Sequence, residues 1–182
     1  MDATLELYDP SGRRVAFSRN EIRDDPLIDY TIPEDGDYLL RVYDFLYQGN
    51  NDYFYRLLVH DGPHLEFILP PAGVPNTTGE FVLYGQNLPG GQPSGMQVRG
   101  RELDKLAVKI PVPADATELQ PGTFLEPFEA SVDGFIYRLN TPQGPTNPIL
   151  IQFAKAAAQL EAEPKNGGEQ ATKITVPGEI DG

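Results

Sequence analysis

The chain has 182 residues, 40% of them hydrophobic, with 18 glycines, 18 prolines and a formal net charge of −13 from 27 acidic and 14 basic side chains. Such a balance excludes a phosphate-neutralising nucleic-acid binder and a module held on an anionic membrane surface, while permitting cation binding and solubility. Long helices tolerate this much Gly and Pro poorly, because Pro removes a donor and Gly costs backbone entropy, so the composition points to an all-β protein with many turns. There is no cysteine, which rules out a disulfide framework, a thiol nucleophile and a thiolate zinc site. No apolar run approaches the ~18 residues of a membrane span. Met1 leads directly into "DATLELYDP" with no export signal ahead of it, so the expectation is a chain that stays inside or a piece of something longer.

In chain order, "ATLELYDPSGRRVAFS" predicts a first hairpin: Leu5 and Leu7 alternate with Thr4, Glu6 and Tyr8, and Val15 alternates with Phe17 after the turn. Asp9-Pro10-Ser11-Gly12 is that turn, with φ preset by Pro and a positive φ taken by Gly. Asn20 to Pro26 reads as an acidic loop, Leu27–Ile32 as a third strand and Tyr38–Asp44 as a fourth. A polar knot, Gln48-Gly49-Asn50-Asn51-Asp52, separates this from a fifth alternating run, Tyr53 to Val59. Strands at intervals of about ten residues with turn chemistry between them predict a β-sandwich. "HDGPH" at His60–His64 marks a domain boundary, because Gly62-Pro63 cannot continue a central strand.

A second unit opens with "LEFILP" and has its clearest strand at Gly79–Leu88, where Phe81, Leu83 and Gly85 alternate with Glu80, Val82 and Tyr84. "PGGQPSG" reads as a loop, Leu103–Pro113 as a strand through Leu106, Val108 and Ile110, Ala114–Val132 as irregular, and "GFIYRLN" and "NPILIQFA" as closing strands. Ala154–Glu163 has the only helix-like composition; ten residues is marginal for an isolated helix, so an extended linker is expected, with a short helix as the alternative. A last strand begins in "ATKITVPGEIDG". The expected division is 1–61, 62–154 and 155–182.

"DATLELYDPSGRRVAFS", "DPLIDYTIPEDGDYLLRVYD" and "YFYRLLV" resemble the bacterial pre-peptidase C-terminal domain, with Gly36-Asp37-Tyr38-Leu39-Leu40-Arg41-Val42 in place of its late "G-x-Y-x-L-x-V" strand. That resemblance covers residues 1–61, lacks the family's opening strands, and implies a partial jelly-roll-like sandwich of an exported protein. "PPAGVPNTTGEFVLYGQNLPG" and "VDGFIYRLNTPQGPTNPILIQFA" are similar to the opening and closing stretches of Ig-like modules of the IPT/TIG kind from planctomycete exported multidomain proteins. "EAEPKNGGEQATKITVPGEIDG" is similar to the linker and first strand of a further pre-peptidase C-terminal domain.

Two places offer oxygen ligands to a hard cation such as calcium, which takes about six to eight of them. Asp44, Asn50 and Asp52 surround the polar knot, but the alternate ligands and closing Glu of a calcium loop are missing, and Asn, Asp and Gly are also what a turn prefers; the turn is the favoured reading. In the linker, the resemblance implies ligands at Glu161, Glu163 and Asn166, with Lys165 standing where an Asn is expected and bringing a positive charge without a lone pair. Tyr43, Phe45, Tyr47, Tyr53 and Tyr55 cluster about the knot, and Tyr47 and Tyr53 are candidates for stacking on sugar rings. Asn76-Thr77-Thr78 is a formal glycosylation sequon that reads as a turn.

No catalytic constellation emerges. His60 and His64 flank a boundary turn, no serine lies in a nucleophile elbow, and the acidic pairs Asp24-Asp25 and Asp35/Asp37 fall in loops with no cleft to shift one of their pKa values. Gly90-Gly91 lacks the Lys-Ser/Thr ending of a phosphate loop. The expectation is a non-enzyme without a required cofactor, beyond possible calcium. Its role would be an accessory β module that spaces or attaches other domains of the same polypeptide, outside the cell or on its surface. A polysaccharide- or matrix-binding module, and a non-catalytic fragment of a secreted peptidase, are the alternatives.

Overall fold

A computed structural model describes residues 2–19, 25–115, 133–161, 171, 173, 174, 176 and 178–181. The described residues are all β, without a helix, and the chain divides into two compact units, Met1–Val59 and His60–Gly182.

Unit 1 is built on three antiparallel strands, β1 (Ala3–Tyr8), β2 (Arg14–Arg19) and β3 (Leu39–Asp44), in the order β2-β1-β3. The alternation of β1 sets the two faces. Leu5 lies across from Ser18 and Val42, and Leu7 across from Ala16 and Leu40, giving an apolar face. Glu6 lies across from Phe17 and Arg41, and Thr4 across from Arg19 and Tyr43, on the opposite face. The hairpin turn is held by Asp9. Its carboxylate accepts the amides of Ser11 and Arg13 (both 3.0 Å) and the Ser11 hydroxyl (2.6 Å). Gly12 takes the positive φ (81°) that the turn requires. With the Ser11 hydroxyl as the main cause, these bonds hold the Asp9 carboxyl below its ordinary pKa.

Two strands expected in unit 1 do not form. Leu27–Ile32 joins no ladder; the Leu27 amide donates to the Ser18 hydroxyl instead (2.9 Å). Pro26 and Pro33 bracket this run and withhold donors at both ends, and both edges of β1 are already taken. Tyr53–Val59 also joins no ladder, and Phe54 and Val59 are 86% and 77% exposed. Its alternation marks an apolar face but supplies no hydrogen-bonding partner.

Unit 2 is a β-sandwich. Its larger sheet comprises β4 (His64–Leu69), β6 (Thr78–Gln86), β7 (Gln92–Val98) and β8 (Arg101–Pro111) in the antiparallel order β4-β6-β8-β7. The smaller sheet comprises β5 (Ala72–Gly73), β9 (Gly134–Tyr137) and β12 (Ile149–Phe153) in the order β5-β12-β9, with β5 parallel to β12. Leu65, Ile68, Phe81, Leu83 and Ile110 of the larger sheet meet Phe135 and Ile151 of the smaller in one core. The alternation read from "GEFVLYG" is the observed one: Phe81, Leu83 and Gly85 are buried. Gly85 is required there, because a Cβ would strike the carbonyl of His64 on the neighbouring strand.

The loop expected at "PGGQPSG" is instead largely strand. Pro93 and Gly95 obscure it, yet β7 is an edge strand, where Pro is tolerated, and its register shifts between Pro93 and Gln97. Arg99 and Gly100 close the β7–β8 hairpin with φ of 51° and 79°, the pair of positive values that a two-residue turn demands. A small hairpin, β10 (Asn140–Thr141) with β11 (Gly144–Pro145), precedes β12. Within the helix-like stretch, β13 (Ala158–Leu160) pairs in parallel with β14 (Glu179–Asp181), so the chain is extended there, as expected, and no helix forms among the described residues. Most of the stretch expected to be irregular, residues 116–132, lies outside the described residues.

Candidate functional site

The polar knot is organised by Asp44, at the end of β3. Its Oδ1 accepts the Asp2 amide (2.8 Å), and its Oδ2 accepts the amides of Leu46 (3.1 Å) and Gln48 (3.0 Å). The Asp2 and Gln48 amides are the chief reasons its carboxyl sits below the ordinary aspartate range. Asn50 works separately: its Oδ1 accepts the Asp52 amide (2.7 Å) and its carbonyl the Tyr53 amide (3.1 Å). The knot is therefore two successive side-chain-capped turns, the first carrying Tyr47 at a left-handed φ of 54°. Three backbone amides thus engage the two Asp44 oxygens.

Of the linker residues, Glu161 is exposed, and Glu163 and Asn166 lie outside the described residues. Among the described residues no three His, Asp or Glu side chains converge as a metal site. His60 accepts the Gly62 amide at Nδ1 (3.2 Å), which closes the boundary turn. His64 lies on β4, its Nε2 3.9 Å from Glu66, and Glu66 is also paired with Arg99. The hydroxyls of Ser11, Ser18 and Ser94 engage Asp9, the Leu27 amide and the Met96 amide, respectively. In the sequon, the Asn76 amide bonds the Val112 carbonyl (3.1 Å) and the Thr77 hydroxyl the Val74 carbonyl (2.7 Å), which makes it a turn.

The most organised surface is the polar face of the β2-β1-β3 sheet, and sequence reading did not single it out. At its centre Glu6, 4% exposed, accepts Tyr8 Oη (2.8 Å), Arg14 Nη1 (2.7 Å) and Arg41 Nη1 (3.3 Å). The Tyr8 hydroxyl first, and then the two guanidiniums, hold the Glu6 carboxyl below the ordinary glutamate range. The Tyr8 hydroxyl and Glu6 in turn push the Arg41 pKa up. Three guanidiniums each sit over an aromatic ring: Arg14 over Phe17 (5.3 Å to the centroid), Arg41 over Tyr43 (4.5 Å) and Arg19 over Phe45 (3.3 Å). Arg19 is also bound by the Asp2 carboxylate (2.6 Å).

Of the two tyrosines singled out as ligand platforms, Tyr47 is brought to this face. Its ring stacks on that of Tyr43 (centroids 5.3 Å apart, 19° between planes) and is itself 73% exposed. Tyr53 is half-buried and donates a long bond from its hydroxyl to Gln48 Oε1 (3.5 Å). The missed residues, Glu6, Arg14 and Arg41, come together only through strand register. Their single sequence signal is a charge on the polar side of each of three alternating runs.

No family model, curated protein or solved structure matches this chain.

Proposed function

We propose that the chain is a non-catalytic accessory β module of an exported multidomain bacterial protein, spacing or attaching the other domains of its polypeptide. The observation that carries this reading is the run Tyr53–Val59 in unit 1, where Tyr55, Leu57 and Val59 of the alternating set are exposed, as are Phe54 and Leu58 on the other side. Contiguous exposed apolar side chains mark a surface that another polypeptide covers. The resemblance of residues 1–61 to a pre-peptidase C-terminal domain and of residues 62–154 to an Ig-like module supports the same role. Genomic sequence on both sides of the coding segment tests it. A reading frame that runs into an export signal and further domains is expected; stop codons directly at both ends overturn the reading. Hydrolysis by the purified chain, abolished on replacing His60 or His64, overturns its non-catalytic part.

The second reading is a polysaccharide-binding module, favoured by the exposed Tyr47 ring seated on Tyr43 beside a row of arginines. It predicts retention on insoluble polysaccharide that Tyr47→Ala weakens without lowering stability. Retention unchanged in that variant, or none by the parent chain, removes it.

A further inference from the structure

Building on the polysaccharide-binding reading, we infer that the polar face of the β2-β1-β3 sheet takes a carboxylated sugar, a uronic acid unit. Arg14 and Arg41 receive the carboxylate, and Tyr47 stacks on the ring. Glu6 spends one oxygen on each guanidinium (2.7 and 3.3 Å), which sets the two side by side across the sheet. A guanidinium carries five N–H donors, more than Arg14 gives to Glu6 or Arg41 gives to Glu6 and the Tyr8 hydroxyl, and the two side chains are 52% and 49% exposed, so part of each faces solvent.

Two arginines against one buried carboxylate leave this patch positive on a chain of net charge −13. The planar fork of a guanidinium matches a carboxylate. The rings beneath Arg14 and Arg41 fix their orientation, so little rotamer freedom remains to be lost on binding. The ring of Tyr47, exposed and backed by Tyr43, offers a flat apolar surface that a sugar ring fits and an acidic peptide side chain does not. The acidity of the rest of the chain repels a long polyanion. That repulsion is screened beyond about 8 Å at physiological salt, which favours isolated or short runs of uronate within a mixed glycan.

The test is calorimetric titration of the full chain with digalacturonic acid, with neutral galactobiose and polyglutamate as controls. The expected result is a preference for the acidic over the neutral disaccharide of about tenfold, the scale of one charge-assisted contact. Arg14→Gln should abolish that preference, Arg14→Lys should restore part of it, and Tyr47→Ala should weaken both disaccharides. A melt of each variant reports its fold; should Arg14→Gln unfold, the two disaccharides on the parent chain and on Tyr47→Ala carry the test. Equal binding of both disaccharides overturns the uronate assignment while leaving the polysaccharide reading in place. Polyglutamate bound as tightly as digalacturonate overturns it in favour of bare charge attraction. No binding of these sugars, with retention on other polysaccharides intact, overturns the assignment alone; no retention on any glycan removes both.

Discussion

Glu6 and Asp44 show how unit 1 uses carboxylates. Both have pKa values below the ordinary range, Glu6 chiefly through the Tyr8 hydroxyl and Asp44 chiefly through the Asp2 amide. A depressed folded-state pKa contributes stability that is fully present above the unfolded value and is lost as pH falls through the folded value. Unit 1 should therefore melt lower as pH drops below roughly 4, where unfolded carboxylates protonate. Asp44→Asn should weaken that dependence but not remove it, because Asn does not titrate while the lowered Glu6 and Asp9 remain; thermal melts across this pH range followed by circular dichroism check it. Thr4 makes the opposite case. It is fully buried on the same face and its hydroxyl finds no partner. An unsatisfied buried polar group carries a desolvation penalty, so Thr4→Val, nearly the same in shape, should be neutral or stabilising by about 1 kcal/mol in a denaturant melt.

Among the elements, Asn147 links the two sheets of unit 2. Its side chain acts as a strand residue would, accepting the Leu65 amide (2.7 Å) and donating to the Leu65 carbonyl (2.9 Å). Asn147→Ala leaves both groups on β4 unpaired and should cost about 1–3 kcal/mol, read from urea midpoints. The Gly85 contact carries a similar penalty: Gly85→Ala forces β4 and β6 apart and should destabilise by about 1–3 kcal/mol. Elements with a local partner were legible in position, though not always in face: Phe17, read as apolar alternation, is exposed across from Glu6, and Ser18 is buried across from Leu5. Leu5 and Leu7 with their Asp9–Gly12 turn, and Phe81–Leu83–Gly85, stand where alternation put them. Leu27–Ile32 and Tyr53–Val59 alternate just as well, yet alternation names a face and says nothing of an available edge. Gln92–Val98 was hidden by residues that an edge strand tolerates and a central strand does not. The candidate site was legible only at Tyr47, because Glu6, Arg14 and Arg41 are neighbours by register, and register follows from pairings between residues far apart in the chain.

For the whole molecule, the two units differ in how fully they bury apolar surface. Unit 2 closes two sheets over a shared core that includes Phe81, Leu83, Phe135 and Ile151. Unit 1 has one three-stranded sheet, a single buried hydrophobic residue, Leu5, among its described residues, and an apolar run from Phe54 to Val59 left open to solvent. The hydrophobic term scales with apolar area removed from water, and three strands with one face covered are near the lower limit of independent stability. Residues 1–61 expressed alone should therefore unfold readily or associate in a concentration-dependent way, whereas residues 62–182 should melt cooperatively as a monomer. Sedimentation velocity across a concentration series, combined with calorimetry of the two pieces, separates these outcomes. A cooperative, monomeric melt of residues 1–61 would show that Phe54–Val59 is tolerated in water, and would remove the main support for a unit built to be covered by a neighbouring polypeptide.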